Sequence, residues 1–360
     1  MAIWDKFKNN SCLGIEFGGR EVKAMVITKA KGGLMVTGTA IEPIPAGIME
    51  NGKIVKGDVL AGTLAKVVEK TGSKQRQVVT AIPGEHVITR YLKLPQMRDN
   101  EVAQTLKWEA EKYIPISEAD LVIEHINFGP DGTGGNQLNI LLVAVPKKVI
   151  YQYYEIFSLA GLELLAIDIE PLALWRLLFL QNADSEPVGL VDIGAASTEI
   201  AIANGRRLEF SRSFGIGINN LVNSLASSLM VDAASAEETL WDKVRVPLNT
   251  DEPGSQSNLD FTVLEEMNRV VHEIKRSLDF YGVQSKGKTV RRIFLSGELA
   301  ALSGLEEFLR QELEVTVMLL KPVLSWLDAD MPGQKEGLLH PAWAVTAGLA
   351  MREVAASGTD

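Results

Sequence analysis

Only one cysteine, Cys12, occurs in the 360 residues, which excludes an internal disulfide and fits a reducing compartment. The four histidines, His86, His125, His272 and His340, fall on separate segments without metal-ligand spacing, so a zinc site is excluded. Positive charge is in deficit, with 36 Lys+Arg against 46 Asp+Glu and a net charge of −10. That balance, with no long basic run, repels nucleic acid and anionic lipid. Long apolar runs are missing too: the most apolar stretch, Leu162 to Leu180, is interrupted by Glu163, Asp168, Glu170, Pro171 and Arg176, so no direct membrane span is expected. The segment "MAIWDKFKNN" has no apolar core of signal-peptide length, and the expected location is cytoplasmic. Ile3, Trp4 and Phe7 suit one helical face that could touch a bilayer, but a frayed tail packed loosely on its own domain is the favoured reading.

What the chain does have is length and apolar content, 46% hydrophobic residues, enough for two or three domains with real cores. It also has a repeat at half its length. "LGIEFGGREVKAMVI" predicts a strand (Leu13 to Phe17), a glycine turn (Gly18-Gly19) and a second strand (Glu21 to Thr28), followed by a third (Leu34 to Ile41). The pattern returns as a strand (Leu190 to Ile193), a small-residue turn from Gly194, a strand (Thr198 to Ala203), the hairpin dipeptide Asn204-Gly205 and a strand (Arg207 to Phe214). Aligning Glu16-Phe17-Gly18 with Asp192-Ile193-Gly194 places acid on acid and glycine on glycine, a duplication that implies two related α/β lobes with a cleft between them. A looser parallel links Val78 to Ile82, leading to Pro83-Gly84-Glu85, with Ile293 to Ser296, leading to Gly297-Glu298.

Between these elements, Val87 to Leu94 alternates as a strand, Asp99 to Tyr113 has helical periodicity, and Leu121 to Phe128 and Leu138 to Val145 form two more strands before a helix from Lys147 to about Ala160. That β-α-β-β-α passage predicts a subdomain inserted into the first lobe. A helix from about Leu264 to Tyr281 carries Glu273, Lys275, Arg276 and Asp279, a spacing typical of a solvated face.

A strand ending in an acid, then a tight glycine turn, exposes backbone N–H groups to phosphate oxygens and leaves the acid where it can hold hydrated Mg²⁺. Glu16 and Asp192 are the candidate metal ligands. Gly215-Ile216-Gly217 lacks the third glycine of a dinucleotide fingerprint; its glycines are expected to let a helix start close to the second turn and to any bound phosphate. No segment has the nucleophile-elbow pattern, so acyl transfer is unsupported.

The duplicated turns together with "SRSFGIGINNL", "EIKRSLDFY", "RIFLSGELAALSGLEEFL" and "PAWAVTAGLAMR" resemble the actin-like ATPase superfamily. "WEAEKYIP", "GLELLAIDIEPLAL" and "LVDIGAASTEI" are similar to its PilM family, the FtsA-like cytoplasmic components of type IV pilus assembly, over roughly residues 13 to 352. The resemblance implies an α/β, duplicated two-lobed actin-like ATPase fold with an FtsA/PilM-type inserted subdomain. The first lobe would comprise residues 1–85, 161–188 and 340–360, the insert residues 86–160, and the second lobe residues 189–339. It implies ATP and Mg²⁺ as ligands. Glu16, Gly18, Gly19, Arg20 and Lys23 would form the first phosphate loop, and Asp192, Gly194, Ala195, Ser197 and Thr198 the second, with Gly215 and Gly217 beside it. Gly297 and Glu298 would border the adenosine, Arg276 would lie against the nucleoside, and Glu170 would stand near an attacking water.

It further implies a partner, the N-terminal cytoplasmic tail of the inner-membrane protein PilN, held in a groove between the first lobe and the insert, with other platform proteins and self-association as further contacts. The chain would then associate with the inner membrane through partners. Glu16 is a methylene longer than the family's usual Asp, Gly19-Arg20 supplies no hydroxyl, and Glu298 replaces a glycine. ATP binding with slow or absent hydrolysis is therefore expected. The alternatives are an FtsA-like cell-division protein, against which the short polar "MREVAASGTD" argues, a secretion-platform protein, which would be expected to carry a membrane span, and a small-molecule kinase on the same fold, for which no substrate-binding acid stands out.

Overall fold

In a computed structural model of the chain, residues 10–30, 33–50, 53–113, 120–130, 137–181, 186–248, 258–322 and 340–354 are described. Ile3, Trp4, Phe7 and the last six residues of the C-terminal segment lie outside them. Strands β1 (Ser11–Phe17), β2 (Glu21–Ala30) and β3 (Gly33–Pro43) form an antiparallel meander. A short hairpin (β4, Met49–Glu50; β5, Lys53–Ile54) and helix α1 (Gly57–Lys70) lead to β6 (Gln77–Ile82), which returns parallel to β1. After the insert, β10 (Glu163–Ile169) completes the five-stranded order β10-β6-β1-β2-β3. Continuous burial along β1 and β2 has a cause in this layering. Leu13, Ile15 and Phe17 face a core shared with α1 and α3 (Lys147–Leu159), while Cys12 faces one shared with α4 (Glu170–Gln181) and α9 (Ala344–Ala350). Strands covered on both faces read as near-continuous apolar runs.

The second lobe repeats the plan. Strands β11 (Pro187–Ile193), β12 (Thr198–Asn204) and β13 (Arg207–Phe214) form the meander, and β14 (Arg292–Ser296) and β15 (Thr316–Leu319) complete the order β13-β12-β11-β14-β15. Helices α5 (Ile218–Leu229), α6 (Ala233–Lys243), α7 (Asn258–Gln284) and α8 (Leu305–Leu313) cover one face. The duplication is exact in register at the turns: Leu13 pairs with Val78 as Gly189 pairs with Ile293, and Glu16 pairs with Lys23 as Asp192 pairs with Glu199. The looser parallel between β6 and β14 is therefore real, since both lie parallel to the first strand of their lobe.

Helices α4 and α9 lie between the two sheets, and one core cluster takes Leu174 and Leu177 from α4, Leu349 from α9, Cys12 and Met25 from the first lobe, and Leu190 and Phe294 from the second. The crossing is close: a Cβ on Gly348 would fall 2.1 Å from the Ala173 carbonyl oxygen. Only glycine fits there.

The insert is a three-stranded antiparallel sheet, β7 (Ile88–Pro95), β9 (Gln137–Pro146) and β8 (Leu121–Pro130), with α2 (Asp99–Tyr113) placing Val102 and Leu106 on it. The following helix, α3, turns its buried Tyr153, Ile156 and Phe157 to the first lobe, with the Tyr153 and Phe157 rings 5.0 and 6.1 Å from Phe17. The insert also reaches the second lobe, where Thr89 and Tyr91 each lie 3.2 Å from the Ser211 hydroxyl. Helix α7 is longer than the expected Leu264 to Tyr281 at both ends: it begins at Asn258 and runs through Gly282 to Gln284, after which the chain turns away at Lys286 and Gly287, with φ of 60° and 92°. Among the described residues no helix is long and apolar enough to cross a membrane.

Candidate functional site

The two glycine turns meet across the cleft. In the first, Gly18 N–H donates to Glu21 O at 3.3 Å and Gly19 has φ 96°. In the second, Gly194 N–H donates to Ser197 O at 3.0 Å. A Cβ on Gly19 would sit 3.8 Å from Ala195 Cβ, so the turns are within van der Waals range of each other. Behind the second turn α5 begins as expected, but Ile218 and Asn219 donate their N–H groups to the Gly194 and Ala195 carbonyls. Those donors are taken up by protein; Gly217 is needed for the approach, because a Cβ there would lie 2.6 Å from Gly194 O.

Between the turns is a cavity of about 50 Å³ lined by Glu16, Gly18, Gly19, Lys23, Glu170, Asp192, Gly194, Ala195, Ser197, Gly297 and Glu298, so most of the sequence-predicted residues converge. Its electrostatics are one cation among acids. Lys23 Nζ donates to Ala342 O at 3.0 Å and lies 3.4, 3.6 and 3.7 Å from Glu16, Glu21 and Glu298. Burial alone would push this amine down, but Glu16, Glu298 and Glu21 outweigh it and the net displacement is upward. Glu16 also accepts a 2.5 Å hydrogen bond from Thr346 on α9. Asp192 accepts from Ser296 at 2.6 Å; burial, with Glu16 adding to it, pushes the carboxyl up to about 6. Glu170, at the first turn of α4, is driven well above the carboxylate range by desolvation and then by Asp192, Glu199 and Glu16.

Glu199, Glu85, Pro83 and Met49 line the same cavity and were not expected there. The signal for Glu199 lay in the repeat, because it occupies the second-lobe counterpart of Lys23, directly across the ladder from Asp192. It is 4% exposed, its Oε2 has no hydrogen-bond partner among the described residues, and burial followed by Asp192 pushes it up to about 8. A Cβ on Gly84 would fall within a bond length or so of that oxygen, so the first lobe's Pro83-Gly84-Glu85 turn presses against it.

A second, open cavity of about 890 Å³ adjoins the first. Its walls are β3 from Thr39 to Pro43, Glu237 and Trp241 on α6, and His340, Ala342 and Trp343 before α9. Lys23 and Glu298 line both cavities and form the throat between them. Arg20 makes an ion pair with Glu237 across the lobes. His340 is held below its usual range by burial and by Lys23, and its Nδ1 accepts from Ala342 N–H at 3.2 Å.

Four predicted residues lie off the cleft surface. Thr198 is fully buried and donates to Ile216 O at 2.7 Å, while Gly215 and Gly217 line neither cavity. Arg276, expected against the nucleoside, lines neither of these two cavities in the closed arrangement, is 68% exposed and lies 3.8 Å from Glu273. The buried stripe of α7 runs through Val263, Met267, Val270, Ile274, Ser277 and Tyr281, which turns Arg276 outward. The helix that reaches the larger cavity is α6 instead. Among the described residues no three His, Cys, Asp or Glu are placed to hold a metal ion between them.

The family described as type IV pilus assembly protein PilM matches residues 14–354. The cell division protein FtsA of Bacillus subtilis (strain 168) is 19% identical over 352 residues, covering 87% of this chain and 79% of that protein. Among solved structures, the PilM-PilN type IV pilus biogenesis complex superposes with a TM-score of 0.84 at 24% identity, covering 95% of this chain and 98% of that one. MreB 5 of Spiroplasma citri bound to AMPPNP gives 0.53 at 11% identity, with 95% of each chain covered. At these identities the superpositions show the fold, which is the actin-like ATPase fold.

Proposed function

The chain belongs to the family of type IV pilus assembly proteins PilM, and on that premise we propose that it is an ATP-binding subunit of the pilus assembly platform whose nucleotide tunes its grip on a PilN-type peptide. One observation carries the nucleotide half. Two glycine turns from duplicated halves face each other over a small polar cavity that opens, past Lys23 and Glu298, into a larger one walled by Trp241 and Trp343. Phosphates suit the first chamber, where glycine backbone and Lys23 are at hand, and a nucleoside suits the second, where aromatic rings offer stacking area.

The residues fit such a ligand, but the closed arrangement does not yet hold it. A cavity of about 50 Å³ has room for three or four waters. Binding therefore requires the turns to part. Charge sets a second condition: Glu16, Asp192, Glu170, Glu199 and Glu85 surround the first chamber, so Mg²⁺ must accompany the phosphates, with Glu16 and Asp192 as its protein ligands. When bound, that ion supplies charge neutralisation at the phosphate oxygens.

Hydrolysis needs a group that positions and deprotonates water. Glu170, which lines the first chamber, is the candidate we assign to it, yet in the closed arrangement burial and the neighbouring acids hold it toward the protonated form, which cannot accept a proton. Slow or absent turnover is the expected outcome.

For the partner, we assign an extended peptide that would lie between the first lobe and the insert, adding main-chain hydrogen bonds and filling pockets. PilN is the partner present in the structurally similar complex. Attachment to the inner membrane would then come through PilN. Calorimetric titration tests both halves: ATP with Mg²⁺ should bind and ATP in EDTA should not, and a PilN-type N-terminal peptide should bind with an affinity that changes when ATP is present. No heat with MgATP would leave a nucleotide-free scaffold.

A further inference from the structure

The geometry points to Glu298 as the residue that reads the sugar of the bound nucleotide and restricts the site to ribonucleotides. The inference rests on the nucleotide reading above. A ligand with phosphates in the first chamber and its base in the second must pass through the throat, which Glu298 and Lys23 define. The sugar is the part of a nucleotide that lies between base and phosphates, so it is the part that meets Glu298.

The chemistry at this point selects for hydroxyls. A carboxylate only accepts hydrogen bonds, and phosphate and ribose differ in that ribose alone offers donors, its two vicinal hydroxyls. The acceptor capacity of Glu298 is open: among the described residues its oxygens accept no hydrogen bond, and its contact with Lys23, at 3.7 Å, is an ion pair beyond hydrogen-bond reach. Lys23 is already satisfied elsewhere, by Ala342 O and Glu16. Of the other two acids of the larger cavity, Glu237 is committed to Arg20 and Glu21 lies 3.6 Å from Lys23.

Backbone geometry aims the side chain. Gly297 has φ 90°, and a Cβ there would lie 2.4 Å from Ile193 O, so β14 ends against the second turn in a conformation reserved for glycine. The residue that follows is thereby delivered to the throat, with its side chain 18% exposed.

The test compares MgATP, 2′-deoxy-MgATP and 3′-deoxy-MgATP binding to the full chain and to the E298Q and E298G variants. A hydrogen bond to a charged group contributes about 1.5–3 kcal/mol, so the unaltered protein should bind each deoxynucleotide roughly tenfold or more weakly than MgATP. E298Q should shrink that ratio and E298G should bring it close to one. Melting temperatures of the variants, read in parallel, confirm that they fold. Equal binding of all three nucleotides by the unaltered protein overturns the inference while leaving the nucleotide reading standing. So does an E298G variant that binds MgATP more tightly with discrimination intact, which would make Glu298 only a repulsive neighbour of phosphate. Absence of binding by every nucleotide to the unaltered protein defeats the underlying reading itself.

Discussion

Glu199 shows how one position changes meaning between two halves of a repeat. Its counterpart in the first lobe is Lys23, the cation of the site, and where the second lobe carries an acid instead, that acid is buried beside Asp192 with no hydrogen-bond partner for Oε2 among the described residues. A carboxyl with an ordinary value of 4.5 pushed up to about 8 keeps a proton in the folded state that the unfolded chain has lost. Stability therefore falls as pH rises from about 4.5 to about 8 and is level above that. Replacing Glu199 by Gln removes the penalty, so the melting temperature of E199Q should match the parent near pH 4.5, exceed it increasingly up to pH 8, and hold that margin beyond. A margin independent of pH would show that Glu199 ionises normally in the fold.

At the scale of elements, α9 does the most with the fewest residues. Its seven residues are all buried between the sheets, and it sends Thr346 to Glu16 in the first turn. The contact that permits this is Gly348 lying on the Ala173 carbonyl. Any side chain there must displace α9 from α4. Overpacking of a tight core costs about 1–3 kcal/mol or more; G348V should lower the melting temperature by several degrees and also weaken MgATP binding, because Glu16 loses its Thr346 donor as α9 moves. By contrast, T346V keeps α9 in place and should alter nucleotide binding with a smaller effect on stability. If G348V melts like the parent, the close approach of α9 and α4 is wrong.

Over the whole molecule, two ion pairs cross the cleft beside the larger cavity: Arg20 with Glu237 and Lys23 with Glu298. In both, the cation comes from the first lobe and the acid from the second. A partly exposed pair such as Arg20–Glu237 contributes roughly 0–1 kcal/mol, and the buried Lys23 keeps Ala342 O and Glu16 as partners if Glu298 moves away, whereas micromolar binding of a nucleotide supplies about 8 kcal/mol. A ligand can therefore part them, as the narrow first chamber demands. An E237Q variant should open more readily, seen as faster hydrogen exchange across Gly18 to Arg20 and over α6, with the sheets of both lobes unchanged. Unaltered exchange would mean that the lobes are held by the shared α4 and α9 core alone.

The strand-turn-strand repeat, the acid at each turn and the helical periods were legible from residue order, because alternation, glycine turns and apolar spacing are local properties of the chain. The bounds of α7 were less so: the helix begins at Asn258, before the expected Leu264, and runs past Tyr281 to Gln284, with its buried stripe starting at Val263, ahead of the expected span. Glu16, Lys23, Asp192 and Gly194 could be assigned to one site because the duplication required their turns to be equivalent. Which helix would meet the larger cavity was another matter: Arg276 on α7 has the spacing of a solvated face, the α6 segment carries no motif, and only the rotation of each helix about its own buried stripe put Glu237 and Trp241 on the cavity wall and turned Arg276 outward. The sequence by itself determined the two lobes and their glycine turns. Tertiary structure decided how far apart those turns stand, which acids are desolvated between them, and that the residue after Gly297 lines both cavities, because distance across a cleft and loss of water are set by elements far apart in the chain.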